Sequence, residues 1–312
     1  AVGAIPGAGF AARRVFSGPD RPVACFGLSF KNPIGLAAGY DKDGIGVQGL
    51  QSLGFGHIEV GTVTPLPQSG NPQPRVFRLA KDRAVINRLG FPSRGADFVA
   101  GRLRRLLRSD VIVGVNIGKN KDTPLEAASE DYVSLISQFA PLSDYLVVNI
   151  SSPNTVGLRR LQARGALEGL IGTLVAHRNG LTDRGQAHVP LLVKLSPDLD
   201  DRALDDALQV LLDTGVDGVV ATNTTLGRDG LQSPARGEKG GLSGAPLTKR
   251  ATEVIAKIAQ RTHGKLPIIG VGGVASAHEA RAKLDAGATL VQLYSGLIYE
   301  GPGLVRRILK GL

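Results

Sequence analysis

Eight short apolar runs, each about as long as one β-strand, recur along this chain of 312 residues. They are rich in Val, Ile and Leu and scarcely alternate with polar residues, which is typical of parallel strands buried on both faces. The runs span residues 32–39, 57–63, 111–118, 145–151, 190–196, 218–224, 266–273 and 289–296. Between the runs lie segments in which apolar residues recur at helical spacing, most clearly residues 126–140, 200–213 and 246–260.

This alternation of strands and helices predicts an α/β fold, the closed (β/α)8 TIM barrel. An open doubly wound sheet is the main alternative, but its usual Gly-x-Gly-x-x-Gly pattern does not follow the first strand. Elaborated loops are expected after strand 2 (residues 64–92, Pro-rich and then briefly strand-like) and after strand 6 (residues 225–245, Gly-rich and polar). Both would lie at the carboxyl-terminal mouth, where barrel enzymes keep their sites, and each could act as a lid.

Composition narrows the function without fixing it. The net charge of +10 suits phosphates, anionic substrates, anionic lipid or nucleic acid. However, aromatic residues are only 4%, and no basic run has interleaved aromatics, which disfavours nucleic acid. The single cysteine, Cys25, excludes an intrachain disulfide, and no Cys/His cluster has zinc spacing, so no metal is predicted. No run approaches the ~20 apolar residues of a membrane span.

The carboxyl ends of the predicted strands are unusually polar. Asn116, Asn149 and Asn223 occupy equivalent places, and a buried amide is tolerated only when it is hydrogen-bonded. We therefore expect these amides to converge on one ligand. Because amides both donate and accept, they suit a planar ring with alternating carbonyl and N–H groups, such as a pyrimidine or a flavin. Lys42 and Lys194 add positive charge that could pair a carboxylate or stabilise a reduced ring.

The ends of strands 7 and 8 predict a phosphate site. Gly272-Gly273 follows strand 7 and Tyr294-Ser295-Gly296 follows strand 8, where barrels commonly bind phosphate through backbone N–H groups.

Candidate bases are few. His57 begins strand 2 at the bottom of the barrel, and Asp41 and Asp43 are expected to cap the following helix. The Ser151-Ser152 pair after strand 4 remains. A serine base needs a dry site and a proton relay, for which Thr155 and water are available.

Several long motifs resemble the dihydroorotate dehydrogenase family over residues 24–310. They include AAGYDKDG, EVGTVTPLPQSGNPQPRVFRL, INRLGF, GVNIGKNK, LVVNISSPNT, LVKLSPDL, GGLSGAPL and VQLYSG. The resemblance implies an FMN-containing barrel that oxidises dihydroorotate to orotate in pyrimidine biosynthesis. The quinone-linked class has a serine base where the soluble class has cysteine. Ser152 in NISSPNT, together with the loop PQPRVFRL, therefore resembles the quinone-linked class.

The resemblance also implies roles for individual residues. Ser152 would take the C5 proton of dihydroorotate while hydride leaves C6 for flavin N5, with Thr155 in the proton path and Phe91 closing over the site. Lys194 would stabilise the reduced flavin. The implied substrate-binding residues are Lys42, Asn87, Arg88, Leu89, Gly90, Phe91, Asn149, Asn154, Asn223 and Thr224. The implied FMN-binding residues are Ala38, Gly39, Lys42, Thr62, Asn116, Asn149, Lys194, Thr222, Ser243, Gly244, Gly272, Gly273, Tyr294 and Ser295.

The quinone-linked class further implies an N-terminal helical hairpin that contacts the membrane and the quinone. Residues 1–23 are expected to be its remnant, and residues 24–312 the FMN-binding barrel. The expected partners are a membrane quinone and a membrane surface, with peripheral attachment facing a reducing compartment. That membrane would be the bacterial inner membrane on its cytoplasmic side or the mitochondrial inner membrane. Pro92 departs from the Asn that often follows the motif phenylalanine and is expected to stiffen the entry to the lid.

Three other functions compete with this hypothesis. Another FMN barrel, such as a soluble dihydroorotate dehydrogenase or a relative of dihydropyrimidine dehydrogenase, would use a different electron acceptor. A Schiff-base lyase would use Lys194 as its amine nucleophile, and burial would lower the lysine pKa as that chemistry requires. A non-catalytic barrel would bind flavin or orotate without turnover.

Overall fold

The computed structural model describes residues 8–106 and 111–312. The first part of the predicted N-terminal remnant, residues 1–7, lies outside the described residues. The strands are β1 (Val23–Cys25), β2 (Leu28–Phe30), β3 (Ile34–Leu36), β4 (His57–Val63), β5 (Val76–Leu79), β6 (Ala84–Asn87), β7 (Ile112–Ile117), β8 (Tyr145–Asn149), β9 (Leu191–Leu195), β10 (Gly218–Ala221), β11 (Gly241–Gly244), β12 (Ile268–Val271) and β13 (Leu290–Leu293).

Helices lie between the barrel strands and at both ends of the chain. They are α1 (Ala8–Phe16), α2 (Val47–Gln51), α3 (Ala96–Leu103), α4 (Ala128–Phe139), α5 (Arg164–Asp183), α6 (Asp201–Thr214), α7 (Thr248–Arg261), α8 (Ala277–Asp285), α9 (Ser295–Glu300) and α10 (Leu304–Gly311). The three helices predicted from apolar spacing correspond to α4, α6 and α7, with ends that differ by one or two residues.

Eight parallel strands close into a barrel in the order β3-β4-β7-β8-β9-β10-β12-β13, with β13 pairing back onto β3. Each predicted apolar run contains one of these strands, which confirms the TIM barrel. Most side chains of each run are apolar on both faces, and both faces are buried. One face of each strand packs inside the barrel and the other packs under the surrounding helices.

Helix α6 illustrates how the local sequence sets the outer layer. The Asp200 carboxylate accepts a hydrogen bond from the Ala203 N–H at 2.8 Å and so caps the helix start. Gly215 ends the helix in the left-handed region, at φ +72°. Between them, Leu204 and Leu208 are buried on one stripe, which holds the helix against the barrel.

The two elaborated loops join in one antiparallel sheet, in the order β11-β6-β5. Strands β5 and β6 come from the loop after barrel strand 2, as the strand-like stretch in residues 64–92 predicts, and β11 comes from the loop after barrel strand 6. The sequence did not predict β11, because Gly241 and Gly244 give it low strand propensity. Gly244 has φ +102°, and a Cβ there would lie 2.4 Å from the Arg83 carbonyl oxygen, so close packing of the sheet requires glycine.

The hairpin β1–β2 packs into the opposite, amino-terminal end of the barrel. There the His57 ring is fully buried, with ring centroids 5.4 Å from Phe30 and 6.3 Å from Tyr145. A Cβ on Gly35 would lie 2.0 Å from His57 Nε2, so this glycine makes room for the ring. Neither ring nitrogen of His57 has a hydrogen-bond partner among the described residues. Burial therefore lowers the pKa of His57 from 6.5 to about 3.

This buried imidazole predicts an acid-sensitive fold. The unfolded chain takes up the His57 proton near pH 6.5, whereas the folded chain resists it, so stability is complete above pH 6.5 and falls as the pH drops toward 3. Between pH 7 and pH 4 the loss due to His57 is expected to be about 3 kcal/mol. Urea unfolding at several pH values checks this. The His57→Phe variant should lose this part of the acid sensitivity, and equal pH slopes for the two proteins would contradict the prediction.

Candidate active site

A cavity opens at the carboxyl-terminal ends of the barrel strands and continues beneath the antiparallel sheet. It encloses about 960 Å³ of space, with the open solvent at its mouth included. The predicted site residues that line it are Ala38, Gly39, Lys42, Thr62, Asn87, Leu89, Gly90, Phe91, Asn149, Ser152, Asn154, Lys194, Thr222, Asn223, Thr224, Ser243, Gly244, Gly272, Gly273, Tyr294 and Ser295.

Three predicted residues lie outside this lining. Asn116 is fully buried one layer deeper, behind Thr62. Thr155 is buried in the loop after β8. The Arg88 side chain lies on the sheet over the mouth, where its guanidinium stacks 4.5 Å from the Phe77 ring and pairs with Glu238 at 2.6 Å. The structure therefore does not bring the Arg88 side chain into the cavity.

A chain of hydrogen bonds links the amides that the sequence singled out. Thr62 Oγ1 donates to Asn116 Oδ1 at 2.5 Å, and Asn149 Nδ2 donates to Thr62 Oγ1 at 3.0 Å. Asn223 Nδ2 in turn donates to Asn149 Oδ1 at 3.2 Å and to Ser151 Oγ at 2.9 Å. Four strand ends are thus joined by one polar network on one side of the cavity.

The floor of the cavity is charged. Glu59 is fully buried inside the barrel, and its two oxygens accept hydrogen bonds from Asn116 Nδ2 at 2.8 Å and Gln292 Nε2 at 2.7 Å. Lys194 Nζ lies 3.9 Å from Glu59 Oε1. Burial lowers the pKa of Lys194, while the Glu59 carboxylate acts in the opposite direction.

Sequence reasoning missed Glu59 and Gln292, which lie inside β4 and β13, although it selected Lys194 inside β9. A signal was available, since each is the polar residue of an apolar run, in HIEVGTV and TLVQLYSG. A buried charge in such a run needs a partner. The other unpredicted lining residues are Ala37, Pro92, Leu247, Val271 and Val274.

Lys42 lies at the rim of the cavity, where its ammonium donates to the Gly39 carbonyl oxygen. Burial lowers the pKa of Lys42 to about 8, and the neighbouring carboxylates of Asp43 and Asp41 oppose that shift. Asp41 also accepts hydrogen bonds from the Ile45 N–H at 3.0 Å and the Gly46 N–H at 2.8 Å, and so holds the turn that leads into α2. The expected helix cap is wrong, however, because the N-cap of α2 is Gly46 without a side-chain hydrogen bond, and Asp43 accepts from the Arg94 N–H at 3.0 Å instead.

At the opposite rim, residues 87–92 at the end of β6 contact the loop after β8. Asn154 Nδ2 donates to Asn87 Oδ1 at 3.2 Å. Phe91 faces the cavity from a bend in which its own φ is +52°. Pro92, expected only to stiffen this segment, also lines the cavity.

The glycine-rich side of the cavity has a shape that depends on its missing side chains. Gly272 and Gly273 have φ +123° and +72°, and a Cβ on Gly273 would lie 2.6 Å from the Thr248 backbone nitrogen. Ser243 and Ser295 share a hydrogen bond of 2.8 Å between their hydroxyls across this side. Ser295 also begins α9, so the first N–H groups of that helix have no acceptors within the helix.

Ser152 lies buried on the cavity wall, and its Oγ accepts a hydrogen bond from the Asn154 N–H at 3.2 Å. A side chain that the sequence analysis did not select holds this loop. Arg159 donates to the carbonyl oxygens of Ser151 and Thr224, both at 3.0 Å, and pairs with Asp198 at 2.9 Å. Arg159 therefore ties the loop after β8 to the loop after β10. Nothing in the local pattern of NTVGLRRLQ indicates this role.

The hydrogen bonds of Arg159 predict that its replacement lowers the stability of the protein. Arg159→Met should lower the free energy of unfolding by about 2–3 kcal/mol, because it removes charge-assisted hydrogen bonds to two loops. Arg160→Met is the matched control, since Arg160 is the exposed neighbour. Denaturant unfolding of both variants checks the prediction. Equal stability of the two variants would show that the loops hold their positions without Arg159.

Two kinds of feature were not found in residues 8–106 and 111–312. No group of three or more His, Cys, Asp or Glu side chains there is arranged to hold a metal ion. Among the same residues, no helix combines the length and the apolar character needed to cross a membrane.

Sequence comparison places the chain among known proteins. Residues 22–312 match the family model described as dihydroorotate dehydrogenase. A protein of Anaeromyxobacter dehalogenans (strain 2CP-C) named dihydroorotate dehydrogenase (quinone) is 52% identical over 311 residues, which cover 99% of this chain and 84% of that protein. A protein of the same name from Alkalilimnicola ehrlichii is 51% identical over 295 residues, covering 94% of this chain and 86% of that protein.

Structural comparison agrees. The crystal structure of DHODH from Eimeria tenella in complex with ferulenol matches with a TM-score of 0.90 and 39% identity, covering 97% of this chain and 88% of that one. The ligand-free type from the same organism matches with a TM-score of 0.89 and 40% identity, covering 97% of this chain and 91% of that one.

Proposed function

This chain belongs to the dihydroorotate dehydrogenase family, and we propose that it oxidises dihydroorotate to orotate in pyrimidine biosynthesis, with FMN as its cofactor and a membrane quinone as its electron acceptor. The observation that carries the proposal is the composition of one cavity. A buried serine, two lysines and a set of linked amides line the same cavity. Each group has a use in removing a proton and a hydride from a dihydropyrimidine.

The donors and acceptors of the cavity floor fit a flavin ring. Lys194 supplies a buried positive charge, and Thr62 and Asn149 supply groups that both donate and accept. When bound, FMN would supply the acceptor for the hydrogen and the two electrons that leave C6 of the substrate. We assign the ring to Ala38, Gly39, Lys42, Thr62, Asn116, Asn149, Lys194 and Thr222. Asn116 would not touch the ring itself but would hold Thr62 and Asn149 in place through hydrogen bonds.

The glycine-rich side of the cavity is suited to the phosphate of FMN. Backbone N–H groups there can approach an anion closely, because glycines lack the side chain that would block it. The hydroxyls of Ser243 and Ser295 lie on the same side and can donate as well. The residues assigned to the phosphate end are Ser243, Gly244, Gly272, Gly273, Tyr294 and Ser295.

The rim of the cavity suits dihydroorotate. The ammonium of Lys42 can pair with the substrate carboxylate, and amides that donate and accept match the carbonyl and N–H groups of the ring. Asn149 lies between the two halves of the site and can serve both. The Arg88 side chain is not assigned to the substrate, because it lies on the antiparallel sheet over the mouth of the cavity. The residues assigned to the substrate are Lys42, Asn87, Leu89, Gly90, Phe91, Asn149, Asn154, Asn223 and Thr224.

Ser152 is assigned as the base that takes the C5 proton. It is buried and lines the cavity together with Phe91 and Pro92, which are proposed to close over the bound substrate and to keep water out. A serine hydroxyl removes a proton only if it can pass its own on. Thr155, buried three residues further along the same loop, is proposed to lie in that path.

The competing functions account for fewer of the residues in the cavity. A Schiff-base lyase requires Lys194 as a neutral amine, and burial lowers the pKa of Lys194 in that direction, but the Glu59 carboxylate at 3.9 Å opposes this shift. A lyase also leaves Ser152 without a role. A soluble family member with another acceptor is disfavoured by the serine at the position of the base. The similar proteins named with quinone also disfavour it.

Quinone use would place the chain at a membrane. We propose that residues 24–312 form the FMN-binding catalytic barrel and that residues 1–23 belong to the membrane- and quinone-associated segment. Attachment would be peripheral, at a bacterial inner membrane on its cytoplasmic side or at a mitochondrial inner membrane.

An anaerobic titration tests the proposal. The purified protein should be yellow, dihydroorotate should bleach it, and a quinone should restore the colour where fumarate or NAD does not. A colourless protein that borohydride traps with a keto substrate would favour the lyase instead. Bleaching by dihydroorotate followed by reoxidation with NAD or fumarate would keep the family and overturn the quinone assignment.

A further inference from the structure

Gln292 of β13 has a buried side-chain amide that uses its nitrogen, but not its oxygen, in hydrogen bonds among the described residues. The side chain is 1% exposed and lines the cavity. Its Nε2 donates to Glu59 Oε2 at 2.7 Å and lies 3.4 Å from the Tyr145 hydroxyl. Its Oε1 has no hydrogen-bond partner in the part of the chain that the structure describes. A buried amide oxygen without a partner is unfavourable, which points to a donor that arrives with a ligand.

The orientation of this amide follows from the chemistry of its neighbour. An ionised carboxylate only accepts hydrogen bonds, so each amide that touches Glu59 must turn its nitrogen toward it. Gln292 and Asn116 both do so, from opposite oxygens of the carboxylate. Their own oxygens therefore point away from Glu59. The Asn116 oxygen accepts hydrogen bonds from Thr62 and Asn149, whereas the Gln292 oxygen has no donor among the described residues.

The oxidised isoalloxazine ring of a flavin carries a single ring N–H, at N3 of its pyrimidine half. We propose that Gln292 Oε1 accepts a hydrogen bond from this N–H and that Glu59 is the positioning residue that holds the Gln292 amide in the accepting orientation. The inference rests on the proposed function, since it assumes that the cavity binds a flavin. The Gln292 contact would come from a residue inside strand β13, whereas most of the other assigned residues lie at strand ends.

Flavin exchange tests the contact directly. The full chain is freed of flavin and titrated with FMN and with N3-methyl-FMN, which lacks the N–H. Gln292→Leu keeps the bulk of the side chain and removes the acceptor. We expect it to bind FMN about tenfold more weakly than the wild type, with little change for N3-methyl-FMN. Its preference for FMN should thus fall about tenfold. Glu59→Gln should reduce the same preference, because a glutamine at 59 can accept as well as donate and no longer fixes the Gln292 amide.

Gln162→Leu is the control for the loss of a buried glutamine. Gln162 is buried outside the cavity, where its Oε1 accepts from the Ser196 N–H at 3.0 Å. Any general loss of stability in this variant should weaken both flavins equally and leave their ratio unchanged. A wild-type ratio in Gln292→Leu would overturn the proposed contact, and a wild-type ratio in Glu59→Gln would overturn the positioning role. If the wild-type chain binds neither flavin, the proposed function itself fails, and that outcome is distinct from the other two.

Discussion

Ser152→Ala is expected to slow the reduction of bound flavin by dihydroorotate by about 10²–10⁴-fold near neutral pH, the usual contribution of a positioned general base. The hydroxyl lies on the cavity wall, and its Oγ accepts a hydrogen bond from the Asn154 N–H. Removing it leaves the floor network and the glycine-rich side intact. Flavin content and dihydroorotate affinity should therefore stay near those of the wild type.

Anaerobic stopped-flow reduction measures this rate apart from quinone reoxidation. Ser151→Ala is the matched control, because Ser151 is the buried neighbour whose hydroxyl contacts Asn149 and Asn223. We expect the control to lose less than a factor of about 10, the value of one neutral hydrogen bond. Comparable rates for the two variants would remove Ser152 from its role as base. A Thr155→Val variant with wild-type reduction would likewise remove Thr155 from the proton path.

The barrel could be predicted from the sequence because its strands carry their own signal. In the run 145–151, for example, residues 145–148 form a continuous apolar stretch that the barrel buries, and this pattern does not depend on distant residues. Strand β11 carries no such signal. Its GLSG sequence is strand-like only because Asn87 and its neighbours in β6 pair with it across the mouth. Long-range pairing of this kind is invisible to a local pattern.

The same distinction applies to the site. Asn149 and Asn223 could be selected because each follows an apolar stretch at a strand end, where barrel enzymes keep their sites, and Lys42 because it lies just beyond such an end. Arg159 could not, because its three partners come from loops up to 65 residues away. Glu59 lies in the middle of its strand, and its partners Asn116, Lys194 and Gln292 come from three other strands, so no local pattern indicates its role. Inside this barrel the floor is a neutralised polar layer.

The charge balance of that layer leads to the second large effect. Lys194 and Glu59 are both buried, and the removal of one partner leaves the other charge without compensation in a region of low polarity. Lys194→Met should therefore lower the free energy of unfolding of the flavin-free protein by about 3–5 kcal/mol. It should also weaken flavin retention, because the cavity floor loses the positive charge that is proposed to face the ring.

A double variant separates these two consequences of the Lys194 change. Lys194→Met combined with Glu59→Gln removes both charges and should recover most of the lost stability, since a neutral replacement of a buried pair costs little. It should not recover flavin retention, because no cation faces the ring. Urea unfolding of the flavin-free proteins gives the first quantity, and flavin absorbance per chain after dialysis gives the second. Single and double variants of equal stability would show that the two charges are not coupled. Full flavin content in either would remove Lys194 from the cofactor site.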